Sequence, residues 1–191
     1  MIHRGLLLTM TEPPPAMEEE FNAWYDEEHL PERLSIPGFR SARRWVADVA
    51  PGQGKYLATY ELDSLDVLAS ENYLSHFKNQ TPWSKRCLSK CVVFRRWAME
   101  QSHPGGADPH AAAKTLLLVL GETPTQGLVI PEALQGRHFV DAEGKPPYAA
   151  LYELAAPALR STPGFGSGRV ARFYHAYQNR PQPNAAAEKR R

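Results

Sequence analysis

One heptapeptide occurs twice in this chain. YLATYEL at Tyr56–Leu62 returns as YAALYEL at Tyr148–Leu154, and in each copy Tyr, Ala, Tyr and Leu occupy alternate positions, so that the four share one face of a strand. Two further correspondences run in the same order. RGLLLTMTEPP at 4–14 resembles KTLLLVLGETP at 114–124, and VFRRWAMEQ at 93–101 resembles VARFYHAYQ at 170–178. Collinear matches in a chain of 191 residues point to a duplicated scaffold, which restricts the fold to those that two like halves can build. The Gly-, Pro- and Ala-rich run SHPGGADPHAAA, 102–113, is the connector. It separates a first half, 1–101, from a second, 114–180, and the segment 181–191 follows as a tail without apolar periodicity.

The first half reads strand, helix, strand, strand, helix, strand. Leu6 to Met10 is an apolar run, and Met17 to Leu30 carries a helical stripe through Met17, Phe21, Trp24, Tyr25 and Glu28. Arg40 to Ala47 and Tyr56 to Leu62 alternate and are joined by a Pro-Gly-Gln-Gly turn. Ser64 offers a cap for a second helix through Leu74, and Cys91 to Met99 closes the unit as a strand. This βαββαβ order predicts a ferredoxin-like α+β half with both helices on one face of an antiparallel sheet. Bulky residues on both strand faces predict a second sheet over the first, supplied by the second copy. Between Pro124 and Tyr148 that copy offers a short helical turn at Pro131 to Leu134 and nothing like the first long helix, so the second half is degenerate.

With 22 basic and 21 acidic side chains, the chain has no broad positive footprint, which argues against nucleic acid as a partner. The opening apolar run is too short for a membrane span. Cys87 and Cys91 cannot form a disulfide framework, and no Cys or His pair completes a zinc set beside them, so no metal is expected and a reducing, cytoplasmic setting fits. His103 and His110 read as connector histidines and His76 as a surface residue. GFGSG at 164–168 precedes a strand rather than a helix and reads as a loop, not a phosphate site.

Chemistry concentrates in EEEFNAWYDEEHLPERLSIPGF, 18–39. Glu18, Glu19 and Glu20 suit the positive end of a helix. Asp26, Glu27 and Glu28 crowd its other half, where negative charge is unfavourable, so something else must tolerate them. Tyr25 and Asp26 precede His29 by four and three positions and share its helical face. Carboxylates beside an imidazole favour its charged form and bring its titration toward neutral pH. The spacing therefore marks His29 as a general acid or base, oriented by Asp26 or Glu28, with Trp24 and Tyr25 as an apolar wall. A solvated acidic face with a helix-terminal histidine is the plainer alternative. Trp45, Tyr60, Trp83 and Trp97, with Arg43 and Arg95, are of the kind that holds a planar, anionic ligand, or else are core.

WYDEEHLPERLSIPGF resembles the helix-to-strand segment of the dimeric α/β barrel proteins, in particular the EthD-like group. There a helix with an aromatic residue leads to His-x-Pro and an Ile-Pro-Gly turn, here Trp24, His29, Pro31, Ile36, Pro37 and Gly38. The likeness spans about residues 4–101. It implies two four-stranded sheets closing into a barrel, here within one chain as a pseudo-dimer, so that a homodimer becomes optional. It also implies a small-molecule ligand and roles from cyclisation, isomerisation or decarboxylation of aromatic or keto compounds to haem binding or no catalysis, and it assigns proton transfer to His29. No cofactor is called for by the residues themselves.

Overall fold

A computed structural model describes residues 4–125, 127–141, 144–155 and 168–178. The GFGSG run and the tail expected beyond Arg180 lie wholly or mostly outside the described residues. Eight strands, β1 (Gly5–Glu12), β2 (Phe39–Val46), β3 (Tyr56–Leu62), β4 (Val93–His103), β5 (Thr115–Gly121), β6 (Gln135–Val140), β7 (Tyr148–Leu154) and β8 (Arg169–Ala176), form a closed antiparallel barrel in the order β1-β3-β2-β8-β5-β7-β6-β4. Closure pairs every strand on both sides, though β2 meets β8 only through Trp45 with Ala176 and Val46 with His175. The first four strands run β4-β1-β3-β2 and the last four β8-β5-β7-β6, and the barrel shuts where β2 meets β8 and β4 meets β6.

Register follows the repeated heptapeptide. Leu6 faces Glu61 and Leu7 faces Tyr60 in the first set; Leu116 faces Glu153 and Leu117 faces Tyr152 in the second. The third correspondence is two residues out of step. Trp97 lies opposite Leu8, but Leu118, the counterpart of Leu8, faces Arg172, and Tyr174 faces Leu116. A two-residue offset keeps every side chain on its expected face, so alternation alone could not reveal it.

Two apolar layers result. Leu6, Leu8, Met10, Trp45, Leu57, Trp97, Met99, Leu116, Leu118, Phe139, Leu151 and Tyr174 fill the barrel. Outside it, Leu7, Tyr56, Ala58, Tyr60 and Leu62 pack beneath Phe21, Trp24 and Tyr25 of the helical segment. The inner layer also holds one ionic cluster. Arg137 donates to both oxygens of Glu61, at 2.8 and 2.9 Å, and through Nε and Nη2 to Glu153, at 3.0 and 2.8 Å. These two glutamates are the equivalent residues of the two heptapeptides. The connector caps that end of the barrel, where the His110 amide donates to Glu153 at 2.6 Å and Asp108 pairs with Arg40.

The first helix is longer than its apolar stripe suggests. It runs as α1 (Glu18–Trp24), a π-helical turn (Tyr25–His29) and α2 (Leu30–Leu34). Leu30 N–H reaches back five residues to Tyr25 O, and Pro31, next in line, has no amide to donate and crowds the carbonyl four residues earlier. The Ile-Pro-Gly turn ends on Gly38 at φ 92°, packed against Val67, where a Cβ would be both strained and colliding.

The second helix expected from Ser64 is instead three pieces. A 3-10 turn (Leu65–Ala69) comes first, then α3 (Glu71–Lys78) capped by Ser70 and α4 (Pro82–Lys90) capped by Thr81. The caps explain the breaks, because Ser70 Oγ and Thr81 Oγ1 accept the Tyr73 and Ser84 amides and each restarts a helix. Cys87 is buried in α4 and Cys91 ends it, both thiols pushed up to about 11 by burial. Around Pro131 the chain makes turns rather than a helix, and β6 follows. No described helix is long and apolar enough to cross a membrane.

Candidate functional site

Pro31 and the π-turn set the geometry of the site. The wider turn rotates His29 inward, onto the outer face of β3 and beneath the helix. Its ring lies 4.4 Å from Trp24, 5.0 Å from Tyr25 and 6.3 Å from Tyr60, centroid to centroid. Only 9 % of the residue is accessible, and Nδ1 is buried without a hydrogen-bond partner. Tyr60 donates to the Tyr25 hydroxyl at 3.3 Å, and Thr9 Oγ1 lies 3.3 Å from the same hydroxyl. Burial, followed by the guanidinium charges of Arg33 and Arg44, drives the imidazole down to about 3. Burial also pushes the Tyr60 phenol well up.

That reverses the expected electrostatics. Asp26 and Glu28 do not hold the imidazole in its charged form, because both are engaged elsewhere. Asp26 Oδ1 accepts from Arg44 at 2.6 Å. Glu28 Oε1 collects Trp24 Nε1 at 3.1 Å, Thr81 Oγ1 at 2.6 Å and Ser84 Oγ at 2.9 Å, and so staples α4 to the first helix. These partners, with the continuation of the helix to Leu34, are what tolerate acidic residues where a helix end was expected. Neither carboxylate orients His29.

The expected ligand-binding set is divided by the sheet. Tyr60 and Trp24 stand with His29 on the outer face. Trp45, which donates to Thr59 Oγ1 at 3.1 Å, and Trp97, which donates to Lys145 O at 3.3 Å, point into the barrel. Arg43 also faces inward and donates to the carbonyl of His110 at 3.2 Å, and Arg95 is exposed at the inward-facing positions of β4. Strand alternation forces this split, since Tyr60 pairs with Ala42 whereas Trp45 pairs with Leu57. Trp83 lies on α4, half-buried, with an unpartnered Nε1. His76 ties α3 to α2 through Glu32 at 3.0 Å. Among the described residues no three His, Cys, Asp or Glu side chains converge as a metal site.

Two arginines that the sequence reading passed over belong to this region. Arg44 stacks between Tyr25 at 4.5 Å and Tyr177 at 3.9 Å while binding Asp26 and Asn22. Arg33, 6 % accessible, lies over Tyr73 at 5.4 Å with Nη1 unpartnered. Its position four residues after His29 was the available signal. An open cleft of about 370 Å³ adjoins the helix where β2 and β8 separate, lined by Asp26, Leu30, Ala42, Arg43, Arg44, Trp45, Ala113, Ala176 and Tyr177. His29 is not among its lining residues. A haem needs a flat slot as wide as its macrocycle against the ligating nitrogen, whereas the rings of Trp24, Tyr25 and Tyr60 stand 4.4 to 6.3 Å from this imidazole, so the arrangement does not fit a group of that width.

No family model matches the sequence, and no curated protein matches it. Solved structures do. A chlorite dismutase-like protein superposes with a TM-score of 0.61 at 8% identity, covering 93% of this chain and 96% of that one. An anthrone oxidase-like protein gives 0.56 at 12% identity, covering 93% and 92%, and a monooxygenase-like protein of Fusobacterium nucleatum gives 0.54 at 10%, covering 92% and 93%. These neighbours belong to the dimeric α/β barrel superfamily. At such identities the likeness is one of fold.

Proposed function

We propose that this barrel is a small-molecule enzyme of the EthD-like kind, built from tandem ferredoxin-like halves, in which His29 transfers a proton to and from an enolisable aromatic or keto compound during cyclisation, isomerisation or decarboxylation. The observation that carries the reading is the unpartnered Nδ1 of His29, buried among aromatic rings on a π-helical turn. A buried imidazole nitrogen without a partner is costly and persists where a ligand or a reaction uses it. The enzyme-like neighbours with the same fold support the reading.

Burial keeps the ring neutral at working pH, which leaves one nitrogen free to accept. A base held down only by desolvation and by neighbouring cations regains basicity when an anion forms against it, because an ion pair replaces an isolated charge. Proton removal beside a carbonyl does this. The C–H electron pair becomes the enolate, the proton moves to the imidazole, and the imidazolium returns it at another carbon or to a leaving group. The hydroxyls of Tyr25 and Tyr60, linked at 3.3 Å, can donate to the enolate oxygen, and burial holds the Tyr60 phenol protonated. The two buried-to-half-buried thiols, both held protonated, suit a reducing cytoplasmic setting, and the intrachain barrel leaves homodimerisation optional.

Deuterium exchange at the acidic carbon of ethyl benzoylacetate and related aromatic β-keto esters, followed by proton NMR, tests this. Wild-type protein should accelerate exchange, and His29→Ala should lose about 10²- to 10⁴-fold of that acceleration. Equal exchange by both proteins removes proton transfer and leaves a binding protein.

A further inference from the structure

Three arginines are buried among the described residues: Arg33, Arg44 and Arg137. Two are fully matched. Arg44 holds Asp26 at 2.6 Å and the side chain of Asn22. Arg137 holds Glu61 and Glu153 through four bonds of 2.8 to 3.0 Å. Arg33 differs. Among the described residues its sole ion contact is Glu32 Oε2 at 3.9 Å from Nη2, and Glu32 spends its other oxygen on His76 at 3.0 Å. Nη1 of Arg33 is buried with nothing to donate to. A guanidinium taken out of water without a close carboxylate is among the more expensive arrangements a fold can keep.

The second unsatisfied nitrogen is one turn away. His29 and Arg33 are four residues apart and so lie on the same face of the helix, and Arg33 is close enough to depress both the imidazole and, against the effect of burial, the Tyr60 phenol. The surroundings are flat and aromatic. Trp24 and Tyr25 flank His29, and Phe39 stacks on Tyr73 at 17° beneath the guanidinium.

We infer that Arg33 Nη1 and His29 Nδ1 form a single buried anion-binding couple that takes the carboxylate or enolate oxygen of a planar aromatic ligand. The inference rests on the reading of His29 as the functional residue and adds the class of ligand: an aromatic acid, or a keto compound that becomes an oxyanion. Arg33 supplies the fixed positive charge, which the neutral imidazole lacks, and His29, in the tautomer that carries its proton on Nδ1, donates to the anion. The anion takes the place that a carboxylate fills at Arg44 and Arg137.

Benzoate and its neutral counterpart benzamide separate charge from shape. Calorimetric titration of the full chain should give benzoate binding in the millimolar range or tighter, with benzamide at least about tenfold weaker. In the benzoate complex the ring nitrogen resonances of His29 should move. Arg33→Gln should weaken benzoate at least about tenfold and leave benzamide unchanged, and Arg33→Lys should fall between, since it keeps charge but loses the fork. Equal affinity for the two probes, an unmoved His29 resonance, or unweakened benzoate in Arg33→Gln overturns the inference. If Arg33→Gln fails to fold, the wild-type comparison and the His29 resonance decide. Arg33-dependent benzoate binding alongside unimpaired exchange in His29→Ala would sink the proton-transfer reading alone, and the reverse result would sink only the anion couple.

Discussion

Tyr60 and Tyr152 occupy the same rung of two matching ladders, opposite Leu7 and Leu117, yet they meet different cover. Above Tyr60 lie the π-turn and its histidine, and the phenol ends on another phenol, that of Tyr25. Above Tyr152 lies a short stretch through Leu128, Ile130 and Ala133, and its hydroxyl donates to Leu128 O at 2.9 Å. Each tyrosine also has a histidine nearby. His138, 5.8 Å from the Tyr152 ring, has its Nδ1 at 2.9 Å from Thr125 Oγ1, whereas Nδ1 of His29 has no partner. The strands thus provide equivalent platforms, and what covers each one determines whether polar atoms are satisfied internally or left unpartnered.

The residue that binds the two platforms together gives the largest expected effect. Arg137→Met would leave Glu61 and Glu153 buried without their common cation, which should cost on the order of 3–5 kcal/mol in urea unfolding. Combining it with Glu61→Gln and Glu153→Gln should recover much of that loss, because the stranded charges go too. If Arg137→Met lowered the stability of one half only, seen as two separate transitions, the halves would be independent and their equivalence merely geometric.

Acid should come next, and it should distinguish the two histidines. His29 titrates at about 3 when folded against 6.5 when exposed. Between those values the unfolded chain binds a proton that the folded chain does not, so stability rises with pH across this window. It is fully present above about pH 6.5 and drains away as the pH falls toward 3, on the order of 3 kcal/mol being lost by about pH 4. Replacing His29 with Phe should flatten this limb of the urea midpoint against pH. His138 is also lowered, by burial first and then by His103, and His138→Phe should flatten the limb less. Equal effects from the two would show that the covers do not differ in the way their hydrogen bonding implies.

How much of this was legible beforehand depends on which residues carried a periodic signal. The paired heptapeptides exposed the alternating faces of β3 and β7; which face lies under the helices was not in that alternation and is shown by Phe21, Trp24 and Tyr25 packing on Tyr56, Ala58, Tyr60 and Leu62. His29 was singled out as a candidate by its spacing to Tyr25 and Asp26, just ahead of Pro31. Its electrostatics were not, because sequence neighbours such as Asp26 and Glu28 say nothing of Arg44, Thr81 and Ser84, which come from other elements and claim those carboxylates. Helix α4 was missed because PWSKRCLSK is mostly polar, only Ser84 and Cys87 being buried. Trp45 and Trp97 suggested a binding wall by type, but their strand positions turn them into the barrel, and composition cannot override that alternation.

The mildest change tests the comparison most directly. Tyr60→Phe removes one hydroxyl, which donates to Tyr25 at 3.3 Å; Tyr152→Phe removes one that donates to a backbone carbonyl at 2.9 Å. Each should cost about 1 kcal/mol in unfolding free energy, the ordinary net value of one hydrogen bond, with Tyr152→Phe the costlier because Leu128 O loses a shorter, better-placed donor. Activity should separate them in the opposite sense. Tyr60→Phe frees the Tyr25 hydroxyl beside His29 and removes a donor available to an enolate oxygen, so His29-dependent deuterium exchange should fall by about tenfold or more, while Tyr152→Phe should leave it at the wild-type rate. If the two variants slowed exchange alike, the functional surface would extend over both platforms. If neither did, the hydroxyl pair at Tyr25 and Tyr60 would be only a packing contact, and any stabilisation of the oxyanion would have to come from Arg33.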